Sequence, residues 1–150
     1  MNNGVTIDQL HEMWTTDSPI NETDPHKELT RVPVLHAKYL KIRSHHNLLV
    51  KRIQFEYTNK RKLKQDYFAG HLNNPEDLEK YNLPPLQEKI YKQDMNAHLD
   101  ADDELNKILI KKIIHQEIVD TCDSILKELN NRTYQLGNIT KWMMFIGEQN

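Results

Sequence analysis

Nine basic side chains fall between residues 38 and 64 (Lys38, Lys41, Arg43, Lys51, Arg52, Lys60, Arg61, Lys62 and Lys64), against a single acid, Glu56. Solvated helices usually alternate sign, because a glutamate four residues before a lysine stabilises the helix and like charges at that spacing weaken it. This stretch forgoes that stabilisation. Aromatic side chains lie among the bases or just after them: Tyr39, Phe55, Tyr57, Tyr67 and Phe68. Fixed cations suit a polyphosphate, and flat rings suit unpaired bases, each stack being worth about 1–3 kcal/mol. The combination fits a single strand better than a duplex, whose bases are already stacked. The candidate DNA-contacting residues are Lys60, Arg61, Lys62 and Lys64, with Lys51, Arg52, Tyr67 and Phe68. The same bases fit a second reading equally well, in which they pair with acids of their own chain. Ten acids stand against three lysines from Asp66 to Glu104, and residues 1–30 hold six acids and one base.

Other chemistry finds little support. The eight histidines are scattered, and neither a His-Glu-x-x-His nor a Cys/His cluster occurs. His115 reads as a core or interface residue. Asp100, Asp102, Asp103 and Glu104 lack the glycine and distal glutamate of a calcium loop, and helix capping explains them better. Ser18, Ser44 and Ser124 sit in no Gly-x-Ser-x-Gly elbow, and no phosphate loop is present. No catalytic residue, metal ligand or cofactor is expected, and an enzyme such as a metal-dependent nuclease has no ligand set here. Cys122, the one cysteine, sits in an apolar run as a small core residue and fits a reducing cytosol. The sequons at Asn21, Asn131 and Asn138 are chance matches, since neither a signal peptide nor a membrane span is visible.

The elements that must position these residues are helical. Four Gly and six Pro among 150 residues are too few for many short strands. The predicted class is all-α, built of long amphipathic helices. Residues 1–33 form an acidic, Pro-containing N-terminal segment with a short helix at Ile7–Trp14, whose Ile7, Leu10 and Trp14 share a face, with Trp14 as its anchor. Residues 34–104 comprise the basic helix, Val34 to Ala69, stopped by Gly70, and an acidic connection with helical pieces near Glu76–Tyr81 and Leu86–Met95. At about 1.5 Å per residue that helix is roughly 50 Å long, so it either breaks or projects beyond a compact monomer. Residues 105–150 are the apolar C-terminal part. Asp100 or Asp102 caps a helix running from Leu105 to Leu129, which continues or restarts past Asn130-Asn131 and Gly137. Only about 36% of the chain is apolar when Gly is counted and Tyr is not, against a usual ~45–50%. A core this thin, with so apolar a C-terminal end, predicts completion by neighbouring subunits through Ile113, Ile114, Ile118, Ile125, Leu129, Trp142, Met143 and Phe145.

The run Arg61-Lys62-Leu63-Lys64-Gln65-Asp66-Tyr67-Phe68-Ala69-Gly70 resembles the basic motif and following Asp-Tyr-aromatic-small-Gly of the UvsY family, the recombination mediators of myovirus-type phages. Tyr91 to Met95, Leu99 to Glu104, and the closing helix with Ile139, Lys141, Trp142 and Met143 resemble other parts of the same family. The likeness covers roughly residues 35–148, and residues 1–33 read as an extension to it. It implies a non-enzymatic helical protein that assembles as a ring-like homo-oligomer, a hexamer or heptamer, in the cytoplasm of the infected bacterial host. Its implied partners are single-stranded DNA, the phage single-stranded-DNA-binding protein and the RecA-like phage recombinase that it helps to load. Its implied roles are in recombination and in recombination-dependent replication and repair. The family's two basic positions fall on Lys62 and Lys64; lysine at 64, where arginine is expected, keeps the charge but loses bidentate phosphate geometry. The reading from a different class is a helical scaffold or assembly protein whose bases pair with its own acids.

Overall fold

The computed structural model describes residues 3–149, and every regular element among them is an α-helix. These are α1 (Ile7–Asp17), α2 (Pro25–Phe68), α3 (Pro75–Lys80), α4 (Lys92–Asp100) and α5 (Asp103–Gln149). The chain divides into two compact units, Met1–Leu49 with Ile114–Asn150, and Val50–Ile113, so α2 and α5 each contribute to both.

In the first unit α1 starts from a capping box, in which Thr6 Oγ1 accepts from the Gln9 N–H and Gln9 Oε1 accepts from the Thr6 N–H. Its Leu10 is fully buried with Leu35, Tyr39, Ile42, Ile118, Cys122, Ile125, Leu126 and Leu129, and Ile7, Met13 and Trp14 pack against them. Trp14 is the expected anchor: its ring meets Tyr39 edge-on at 5.6 Å and carries the Arg132 guanidinium at 5.3 Å. Arg132 is itself buried and donates to the Ser18 carbonyl, while its Nε has no hydrogen-bond partner among the described residues. Asp17 accepts from Lys38 Nζ at 2.6 Å and Tyr39 Oη at 2.8 Å. Burial would raise its carboxyl, but Lys38, Tyr39 and Arg31 outweigh it and hold the group below the ordinary range.

The first unit also buries a histidine pair. His46 Nε2 accepts the Val5 N–H at 3.2 Å, and its Nδ1 lies 2.9 Å from Nδ1 of His115. A ring whose Nε2 accepts must be neutral, so His46 donates from Nδ1 to His115. Burial, then His115 and His45, push the His46 pKa down to about 4.

The basic helix begins nine residues before the expected Val34, at Pro25. Asp24 Oδ1 accepts from the Lys27 N–H at 3.2 Å, and Pro25 sits at the first helical position, where its missing N–H costs nothing. Pro33 lies inside the helix at a cost of about 3 kcal/mol. The turns on either side of it are held down by buried Glu28 and Leu35, and by Arg31, which donates to the Asp17 and Pro19 carbonyls. The predicted stop at Gly70 is present: with φ at +79°, its N–H donates to the Tyr67 carbonyl and that of His71 to the Asp66 carbonyl.

In the second unit Met95, Leu99 and Leu105 form the core, with Tyr57, Phe68, Ala69 and Ile90 against them. α3 lies within a residue of expectation, capped by Asn74 with Pro75 first. The piece expected at Leu86–Met95 is instead α4, displaced to Lys92–Asp100. Residues 84–90 are held out of helix because the Pro84 carbonyl accepts from Tyr67 Oη at 2.5 Å and the Ile90 N–H donates to the Phe68 carbonyl at 2.9 Å. Asp102, not Asp100, caps α5, its Oδ1 accepting from the Leu105 N–H at 2.9 Å. α5 then runs through Asn130-Asn131 and Gly137 without a break.

Candidate nucleic-acid interface

Six of the nine clustered bases form ion pairs within the chain: Lys38 with Asp17, Arg43 with Asp123, Lys60 with Glu104, Arg61 with Asp100, Lys62 with Asp66, and Lys64 with both Asp102 and Glu104. Much of the self-pairing weighed against DNA binding is therefore present, to the acidic N-terminal segment and the acidic connection alike. Lys41, Lys51 and Arg52 have no ion pair among the described residues.

Helical phase sorts these residues. Two positions along a helix turn it by about 200°, so Lys62 and Lys64 point to opposite faces. Lys64 faces the core, only 8% exposed, with Nζ 2.8 Å from Asp102 and 2.9 Å from Glu104. Burial pulls its pKa down, but the two carboxylates outweigh that and leave it above the ordinary lysine value. Asp102 is held low, burial being outweighed by Lys64 and the Leu105 N–H, and Glu104 is held low by Lys60 and then Lys64. Arg61 lies at the boundary, donating to Asp100, Asn96 and Tyr57 Oη. Lys62 is 71% exposed at its side chain and tied only to Asp66, one turn on, in a surface pair worth little.

The predicted aromatics divide the same way. Tyr67 is buried, its hydroxyl committed to Pro84, and Phe68 packs in the core with its ring 4.4 Å from His98. Neither offers a free face, which corrects their assignment as stacking residues. Phe55 does, at 70% exposure. It follows Lys51 by four residues, Arg52 by three, and precedes Lys62 by seven, so all four occupy one solvent-facing side of α2. Phe55 lies among the aromatics of the basic stretch but outside the expected DNA-contacting residues. Its phase against Arg52 and Lys62 was the available signal.

Of the residues expected at a subunit interface, Ile118, Ile125 and Leu129 are buried in the chain's own core against Leu10, Tyr39 and Ile42. Those three are corrected to intrachain packing, because α1 and α2 supply the cover assumed to come from a neighbour. Ile113, Ile114, Trp142, Met143 and Phe145 are exposed, and the Trp142 and Phe145 rings stack at 5.7 Å. Among the described residues no group of three or more His, Cys, Asp or Glu could hold a metal, and no helix is long and apolar enough to cross a membrane.

Residues 13–148 match the family model described as recombination, repair and ssDNA binding protein UvsY. The chain belongs to the UvsY family. No curated protein matches it in sequence. Two crystal structures of the bacteriophage T4 recombination mediator protein UvsY share its fold, in lattice types II and IV. The first, at TM-score 0.82 and 19% identity, is covered over 99% of its length by 96% of this chain. The second, at TM-score 0.79 and 19% identity, is covered over 98% by 94%. The UvsY match begins at residue 13, so residues 13–33, expected as an extension to the family, lie inside it. That agrees with Trp14 packing against the core of the first unit and Arg31 donating to the Asp17 carbonyl. In this UvsY-family chain the two motif lysines do different work: Lys64 closes the second unit, and Lys62 alone of the pair faces solvent.

Proposed function

We propose that this protein is a recombination mediator that binds single-stranded DNA and helps to load a RecA-like recombinase onto DNA covered by the phage single-stranded-DNA-binding protein, in the cytoplasm of the infected host. Family membership over residues 13–148 carries the reading. The exposed side of α2 supplies its chemistry: Lys51, Arg52 and Lys62 meet phosphates, and Phe55 stacks on a base. One protomer offers few contacts, so binding depends on repetition of this face in a homo-oligomer, a ring of six or seven, where avidity makes up for weak single sites. The exposed Ile113, Ile114, Trp142, Met143 and Phe145 of α5 form the subunit contacts, since so much apolar surface on one helix needs cover.

Anisotropy of a labelled oligo-dT titrated at several salt concentrations tests the reading. Phe55→Ala is expected to weaken binding by about fivefold or more with its salt slope intact. Lys51→Ala/Arg52→Ala is expected to flatten the slope by about 1.4, at about 0.7 per neutralised phosphate. No binding by the unaltered protein at low salt refutes the proposal and favours the scaffold reading, to which the pairing of Lys60, Arg61 and Lys64 with Asp100, Asp102 and Glu104 already gives a structural basis.

A further inference from the structure

The second unit carries a cleft of about 590 Å³ between the end of α2 and the start of α4, within the usual ~300–1,000 Å³ of small-molecule sites. Gln65 of α2, Ala69 just past its end and His71 line it with Ile90 and Met95, which are apolar and covered at least in part, and with Lys89, Tyr91, Lys92 and Asn96, which are exposed. Three observations distinguish it. Tyr91 is 73% exposed, and its ring meets no other ring or cation among the described residues. Lys89 and Lys92 have no ion pair among the described residues, unlike the four bases of α2 between 60 and 64. The cleft also adjoins the proposed strand-binding side of α2: Asn96 Oδ1 accepts from Arg61 Nη2 at 3.3 Å, and Gln65 lies one turn beyond Lys62.

We propose that this cleft takes one unpaired nucleobase of the bound strand. The base stacks on Tyr91 beside Ile90 and Met95, the Gln65 and Asn96 amides meet its edge, and Lys89 and Lys92 hold the flanking phosphates. An amide both donates and accepts, so it tolerates any base, as an unspecific binder requires. The Lys89 stem lies across Gly70, where an added Cβ would come within 2.5 Å of its Cε, so the stem is packed against the chain. The proposal rests on the single-strand reading above and adds a site to it.

The test compares a labelled oligo-dT with an abasic tract of equal length and charge, using the full chain. The unaltered protein is expected to prefer oligo-dT by about fivefold or more. Tyr91→Ala should shrink that preference to the part owed to Phe55 and leave binding to the abasic tract unchanged, Tyr91→Phe should retain it in full, and Lys89→Ala/Lys92→Ala should weaken both tracts alike. An undiminished preference in Tyr91→Ala, or equal loss on both tracts, overturns the base site while leaving the function standing. Failure of the unaltered protein to bind either tract overturns both. Displacement of oligo-dT by a decaglutamate peptide in a Tyr91-dependent manner also overturns it, assigning the cleft to an acidic protein segment.

Discussion

Lys62 and Lys64 belong to one motif, yet replacing them is expected to do opposite things. In Lys64→Met the apolar stem is kept and the charge is lost, leaving the Asp102 carboxylate, 13% exposed, without its cation. Breaking a buried pair usually costs about 3–5 kcal/mol. Asp102 keeps the Leu105 N–H and Glu104 keeps Lys60, so the lower end, about 3 kcal/mol, is expected. With a urea m-value of about 1–3 kcal/mol/M, the unfolding midpoint should fall by roughly 1–3 M. Adding Asp102→Asn removes the stranded charge while keeping a capping side chain, and should recover most of that loss. Lys62→Ala should leave the stability within about 0.5 kcal/mol of the original, its pair being exposed, and should flatten the salt dependence of oligo-dT binding by about 0.7. Urea unfolding followed by far-UV circular dichroism, run beside the anisotropy titration, reads both effects. A Lys64→Met protein of unchanged midpoint that no longer binds DNA would refute the assignment of Lys64 to the fold.

Three further outcomes are expected. The His46 pKa, depressed to about 4 from 6.5, means that the unfolded chain binds the extra proton between those values, so stability falls as pH drops through that window. Between pH 7.5 and 5.0 the loss should be about 2 kcal/mol in unfolding free energy from urea titrations, and should shrink in His46→Leu; Asp17, Asp102 and Glu104, all held low, stay charged at pH 5.0 and contribute little, since few of them take a proton even in the unfolded chain. Gly70→Ala should cost about 1–2 kcal/mol, because φ there is +79°, and a loss under a few tenths would show that the helix end had rearranged. Trp142→Ser/Phe145→Ser should lower the light-scattering mass of the assembly, and an unchanged mass would place the subunit contacts elsewhere.

The long helices, the glycine stop and the anchoring Trp14 were legible because periodicity and punctuation act locally. The start of α2 was not, because Pro25 and Pro33 read as breakers. Asp24-Pro25 is in fact a cap followed by a first-turn proline, and Pro33 is carried by contacts to residues far away in sequence. The start of α4 was not legible because two hydrogen bonds from the end of α2, distant in sequence, hold residues 84–90 out of helix. For the site, the charge cluster was visible but its division was hidden by composition, which counts lysines without asking where they point. Phase alone would have separated Lys62 from Lys64. That Lys64 meets Asp102 and Glu104 depends on α5 folding back against α2, which no local pattern encodes. Ile118, Ile125 and Leu129 were given to a neighbour because a thin apolar fraction hid how well α1 and α2 cover them.

The bond between Arg132 and the Ser18 carbonyl joins residues 114 positions apart. A ribosome adding about 5–20 residues per second takes roughly 6–23 s to make that interval. For that time Leu10 and Trp14 have their α2 neighbours but not the α5 residues that complete their burial. α1 is thus made well before the residues that cover it, and its apolar face is open to chaperones until Ile118 to Leu129 emerge.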